Sequence, residues 1–255
     1  MSWPSKIRNT ARNALKPGYA RVMTGKLVQR TRRDEHRRDE AIAWARPRAQ
    51  RIADWCETTD AALWREAEEY GAGLRGRADE LGRQLGVHIG GGGRVEFLYF
   101  VTRLSRPRTV VETGVLHGYS SAAFLAALER NGDDGRLWSS DFPYFRQKDP
   151  ERLVGVLVPK DLRSRWTLRL EGDRRNLPAI LEEVTSVDLF HYDSDKTYAG
   201  RQYAVDLVTG RLAPGGIVAM DDIQDNLFFR DWASGTGKPM LVLGSSTAFV
   251  GAVGL

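Results

Sequence analysis

Apolar and polar positions follow one period in the first third of the chain and another in the rest. Residues 1–88 are rich in Ala, Arg, Glu and Leu and short of β-branched runs, which predicts helix. Pro17 and Pro47 break that helical stretch into pieces. The run Gly90 to Gly93 has no side chains to pack and reads as a hinge. After it Phe97, Val101 and Leu104 recur at helical spacing, predicting a short helix ended by Pro107.

Beyond Pro107 strands and helices alternate. TVVET (109–113) is a β-branched run that predicts a buried strand. A helix over 119–130 follows, with Phe124 and Leu128 on one face, and NGDDG is the turn after it. RLWSSD predicts a second strand ending at Asp141, and WTLRLEGD a third ending near Asp173. The helix NLPAILEEV leads into the strand VDLFHYD, and a further helix carries Val205, Val208 and Leu212 up to the turn APGG. IVAMDD is the next strand, and PMLVLG and TAFVGAV form a closing pair. Repeated β-α units imply a mostly parallel sheet with helices on both faces. Such sheets bind ligands beyond the carboxyl ends of their strands.

Composition narrows the class. A chain of 255 residues can bury one core of about 150 to 200 residues plus an extension. The lone cysteine, Cys56, excludes an intramolecular disulfide and a cysteine-only zinc site, and a cytoplasmic location is expected. No apolar run approaches the roughly 20 residues of a membrane span. The first residues lack the apolar block of a secretory signal. They are Arg-rich and acid-free up to Asp34, as transit peptides are, but a tethering or helical extension is the more economical reading. Residues 1–54 hold 14 Lys/Arg against 5 Asp/Glu, so the positive charge sits in this arm. It has no aromatic ladder and no nucleic-acid motif, so nucleic acid is not an expected partner. A solvated helical face, or a weak contact with a membrane surface, suits it better.

The chemistry gathers at strand ends. Asp141, Asp173 and Asp193 each close a predicted strand. Before them comes Glu112-Thr-Gly114-Val-Leu-His-Gly118-Tyr119-Ser120, a strand-to-helix turn with glycines four apart. Gly114 allows the tight turn, and Gly118 lets the next helix begin close to a ligand. A dinucleotide fold wants another glycine two residues after the first, where Leu116 stands here. That favours a nucleoside without phosphates over NAD or FAD. Asp141, about 23 residues after Gly118, is placed to take both ribose hydroxyls.

From about Val87 onward the sequence resembles the class I S-adenosylmethionine (SAM) dependent methyltransferases. VVETGVLHGYSSAAFL is similar to their first motif, whose turn cradles the methionine part of SAM. The resemblance implies a Rossmann-like fold with a seven-stranded, mostly parallel sheet behind an N-terminal helical extension. It also implies SAM contacts from Glu112, Gly114, Gly118, Tyr119 and Ser120, ribose binding by Asp141 and adenine contact near Asp173. Gly90 to Gly93 falls where related enzymes have a segment that closes over the cofactor. The expected organisation is a basic helical extension over 1–88, acting as acceptor lid or dimer contact, and a SAM-binding domain over 89–255.

The segment DLFHYDSDKTYAGRQYAVDLVTGRLAPGGIVAMDDIQDN resembles metal-dependent O-methyltransferases of the catechol, caffeoyl-CoA and macrolide-sugar types. Their acids match Asp193, Asp221 and Asp222, which the likeness makes ligands of Mg²⁺, and their general-base lysine matches Lys196. Three converging carboxylates repel one another unless a cation neutralises them, and oxygen ligands suit Mg²⁺. Asp193 has a second reading as partner of the SAM amino group, and the Asp pair a second one as helix cap and solvated neighbour. His191 points to the same face as Asp193 on a strand and is an alternative base. Asn226 fits a turn better than the acceptor site. The implied reaction is methyl transfer to a hydroxyl of a sugar, glycoside or phenol, by a homodimer. A metal-free methyltransferase and a non-catalytic SAM-binding scaffold are the alternatives.

Overall fold

The computed structural model describes residues 3–16, 19–20, 22–23, 37–91, 94–132, 134–145 and 148–255. Among them the strands form one seven-stranded sheet. They are β1 (Thr109–Thr113), β2 (Arg136–Ser140), β3 (Trp166–Arg169), β4 (Val187–Tyr192), β5 (Leu212–Met220), β6 (Met240–Ser245) and β7 (Ala248–Val253). The order across the sheet is β3-β2-β1-β4-β5-β7-β6. β1 to β5 run parallel, and β7 is antiparallel to both β5 and β6. Strand order reverses beside β1, which opens a crevice at the carboxyl ends of β1 and β4.

Alternation along the strands explains the two cores. Val110, Leu189 and Ile217 point to one face, where they pack with α3 (Ile52–Leu85), α4 (Val95–Ser105) and α5 (Tyr119–Asn131). Their sequence neighbours Val111, Phe190 and Val218 point to the other, against α6 (Asp173–Glu183), α7 (Tyr198–Thr209) and α8 (Phe228–Gly235). Both faces are thus covered, as the near-continuous apolar runs of β1 and β4 require.

The N-terminal third is helical as expected. It holds α1 (Trp3–Ala14), α2 (Arg38–Ala45) and the long α3. Pro47 lies in the 3₁₀ turn Arg46–Arg48 that separates α2 from α3. The buried residues Trp64, Ala67, Gly71, Leu74 and Ala78 recur at spacings of three and four, and their apolar side chains join the same core as α4 and α5. Fully burying a Leu such as Leu74 contributes about 2 kcal/mol, so this helix is a layer of the fold. Behind α1 the chain folds back on the loop after β2. Asn13 Nδ2 donates to Phe145 O at 2.8 Å, Lys16 Nζ pairs with Glu151 at 2.7 Å, and the Tyr19 ring lies 4.7 Å from Phe142. Pro17, Gly92 and Gly93 lie outside the described residues, as does the arm over 24–36. Among the described residues no helix is long and apolar enough to cross a membrane.

Two boundaries and one helix face differ from the pattern. Leu212 opens β5 instead of continuing α7, because the helix already stops at Thr209. β3 ends at Arg169, and Asp173 begins α6 rather than closing a strand. Leu104 is exposed, since the helix face that packs is carried by Phe97, Leu98, Phe100 and Val101.

Candidate active site

Main-chain hydrogen bonds set the strand tips side by side. Gly114 N donates to Ser140 O at 2.9 Å, Asp193 N to Thr113 O at 3.0 Å, and Asp221 N to Tyr192 O at 3.0 Å. Asp141 N reaches Arg169 O at 2.9 Å. Asp141, Gly114, Asp193 and Asp221 therefore line up across the crevice from β2 to β5. Gly114 has φ +85°, and a Cβ there would drive into the carbonyl oxygen of Asp193. Gly118, at φ +91°, sits 2.8 Å by its would-be Cβ from the Cα of Gly155. Both glycines are needed for close approach of backbones. Leu116 takes φ +48° with an exposed side chain, a strained arrangement costing about 1–2 kcal/mol. The side chain lines the cleft beside Gly91.

Asp141 holds the turn. Its Oδ2 accepts from Leu116 N at 2.7 Å and Val115 N at 3.2 Å, and Oδ1 accepts from Phe142 N at 2.6 Å. Asp173 lies beside it through Ser140, whose Oγ donates to Asp173 Oδ1 at 2.6 Å.

A partly open cleft lies at the tips. Of the expected residues, Gly114, Tyr119, Ser120, His191, Asp193 and Asp221 line it. Glu112, Gly118, Asp141, Asp173, Lys196 and Asp222 stand outside that lining. Glu112 is fully buried, and its Oε1 accepts from Ser139 Oγ at 2.7 Å and from Ser121 Oγ. Through these bonds it braces β1 against α5 and β2.

Burial pushes the Glu112 carboxyl up to about 7, with the serine hydroxyls pulling the other way. The folded state thus binds this proton more tightly than the unfolded chain, where the value is near 4.5. Its contribution to stability is full below pH 4.5 and is lost as pH rises towards 7, roughly 3 kcal/mol in all. Thermal melting followed from pH 4.5 to 7.5 should show this loss, and Glu112→Gln should flatten it. An unchanged slope in the variant would place the titration elsewhere.

The carboxylates find their cations within the chain. Arg94 Nε donates to Asp221 Oδ1 at 2.7 Å, with both side chains about 15% exposed. Lys196 Nζ bridges Asp193, by a short contact, and Asp222 at 3.0 Å. Asp222 also accepts from Gln224 Nε2 at 3.0 Å, in a left-handed backbone with φ +54°. Burial works against its charge, yet Lys196 and the Gln224 amide hold the carboxyl below its ordinary value. Arg201 is completely buried and donates to Asp222 O at 2.7 Å from Nη2.

Residues expected as a Mg²⁺ triad and a free base are thus arranged otherwise. Asp222 is turned out of the cleft, Asp221 is taken by Arg94, and Lys196 is held between two carboxylates. Among the described residues no three acidic, His or Cys side chains converge as a metal-binding group. The residues present do not fit the ion. Asn226 has its turn role, donating to Lys196 O at 2.8 Å and accepting from Phe228 N at 3.0 Å.

His191 is fully buried on β4 and lines the cleft, and neither ring nitrogen has a hydrogen-bond partner. Burial, opposed by Asp221, drops its imidazole to about 4, so it is neutral at ordinary pH. Arg94 and Arg201 escaped the sequence reading. Arg201 carried a signal, since it precedes Ala204, Val205 and Val208 by three, four and seven residues on the buried face of α7. Arg94 carried none, because its partner lies 127 residues away.

Residues 111–223 match the model of a methyltransferase domain. With the sheet order and the glycine turn, this gives that part of the chain a methyltransferase domain on the class I, Rossmann-like fold. Solved structures share that fold at low identity. The O-methyltransferase TomG of Streptomyces achromogenes, involved in tomaymycin synthesis and bound to SAM, aligns at 16% identity and TM-score 0.55. That alignment covers 71% of this chain and 88% of TomG. An O-methyltransferase of Bacillus cereus in complex with SAH is 17% identical at TM-score 0.52, over 83% of this chain and 99% of its own. A methyltransferase of Geobacter sulfurreducens is 15% identical at TM-score 0.53, over 71% and 90%. No curated protein matches the chain by sequence.

Proposed function

We propose that the chain transfers the methyl group of SAM to a hydroxyl of a small molecule, giving S-adenosylhomocysteine and a methyl ether. The carrying observation is one cleft bounded by the Gly114–Ser120 turn on one side and by His191, Asp193 and Asp221 on the other. The turn seats the methionine part of SAM, with Asp141 on the ribose, Asp173 towards the adenine and Asp193 on the amino group. The N-terminal residues docked beside Phe142 close the nucleoside side. At the acceptor end Asp221 and Arg94 offer hydrogen bonds to neighbouring hydroxyls, which favours a sugar or glycoside over a phenol.

Transfer forms a bond from acceptor oxygen to the methyl carbon and breaks the carbon–sulfur bond of the sulfonium. Orientation dominates, because the leaving group is already good. The oxygen becomes strongly acidic as the bond closes, so even a weak base takes its proton. His191, neutral and without a partner, is that base in this reading. Labelled SAM offered with glycosides and phenols should yield labelled ethers. His191→Ala should lower kcat by roughly 100-fold with SAM affinity near wild type. SAM binding without transfer to any acceptor would favour a scaffold, and an unchanged rate in the variant would move the base elsewhere.

A further inference from the structure

The acids at the ends of β4 and β5 come with a matched set of fixed cations. Arg94 precedes α4, Lys196 lies between β4 and α7, and Arg201 is on α7. They meet Asp221, Asp193 and Asp222 by ion pairs or main-chain bonds, three positive groups for three negative ones. Arg201 is held 5.9 Å from the Tyr192 ring, and its Nε and Nη1 have no partner, so its charge stays turned on this cluster. A dication entering here would add to a balance already struck and would have to displace Arg94 from Asp221.

Resting on the methyltransferase reading above, we propose that this cluster is a protein-cation site and that methyl transfer is independent of divalent metal. Arg94 holds the acceptor. Its Nε is spent on Asp221, and among the described residues its terminal nitrogens make no further hydrogen bond. It lines the cleft together with His191 and Asp193, which puts its guanidinium within reach of an acceptor bound there. A rigid guanidinium can bond two oxygens of one substrate, which suits neighbouring hydroxyls or a hydroxyl beside a carboxylate. Asp221 orients Arg94, while Lys196 and Arg201 neutralise the two acids behind it.

The test separates metal, acceptor and parent reading. Mn²⁺ titrated into the wild-type protein and followed by electron paramagnetic resonance should show no stoichiometric site at micromolar concentration. Transfer should continue at full rate in EDTA. Arg94→Met should reduce transfer by about 100-fold and raise the acceptor KM, while SAM affinity changes little. Arg94→Lys should recover part of that loss, and a melting curve on each variant shows that it is folded. Stoichiometric micromolar Mn²⁺ binding, or loss of activity in EDTA restored by Mg²⁺, would overturn the proposal. So would unchanged acceptor kinetics in folded Arg94→Met. Absence of SAM binding would instead sink the methyltransferase reading, and the Mn²⁺ titration would still decide the nature of the cluster.

Discussion

Gly114→Val is expected to leave a chain that melts far below wild type and has no measurable affinity for SAM. Two effects add at this position. A β-branched residue at φ +85° lies outside the regions open to L side chains and costs about 1–2 kcal/mol. The new Cβ would also run into the main-chain oxygen of Asp193, and that backbone is tied to Thr113 by its own N–H. Relief therefore requires β1 and β4 to part at their tips. A total near 4 kcal/mol corresponds to a Tm lower by roughly 10 °C. Calorimetric melting and SAM titration check both consequences. A variant that melts and binds like wild type would show that the turn is not packed against β4.

Asp141→Ala should weaken SAM binding by roughly 100- to 1,000-fold with a smaller fall in Tm. The carboxylate does two things at once. It collects the N–H groups of Val115, Leu116 and Phe142, which sets the turn, and in the function proposed above it also accepts from the ribose. Hydrogen bonds to a charged group contribute about 1.5–3 kcal/mol each, and two lost from the ribose at the low end of that range, about 3–4 kcal/mol together, give the stated weakening. Asp141→Asn keeps one acceptor oxygen and should fall between wild type and alanine. Titration of SAM against both variants orders them. Equal affinities in all three proteins would mean that the ribose is held by other groups.

Much of the fold was legible because period and burial agree. Val110 and Val111 could be assigned to opposite faces from alternation alone, and the closing pair β6–β7 from two apolar runs around a short turn. Ends of elements were less legible. Leu212 continues the helical spacing of Val205 and Val208, yet the chain turns first, and only its pairing beside Val187 makes it a strand. Asp173 looked like a strand end because LRLEGD reads as extended to its last residue. Its side chain is drawn instead to Ser140 at the start of a helix.

Sequence by itself determined the class of chain. The turn from Glu112 to Ser120, with Leu116 where a phosphate binder needs glycine, and the acids after successive strands carry the resemblance to the methyltransferase fold that the sheet order bears out. Local spacing suffices there, because the turn and each strand end are written in contiguous residues. What only the tertiary structure decided is how the acidic cluster is neutralised. Three carboxylates demand a counter-charge, but local sequence does not say whether a dissolved ion or a side chain supplies it. Arg94 reaches Asp221 only because α4 is laid against α3 and α5 at the open end of the sheet. A charge pair of that kind depends on distance in space, which no local pattern along the chain records.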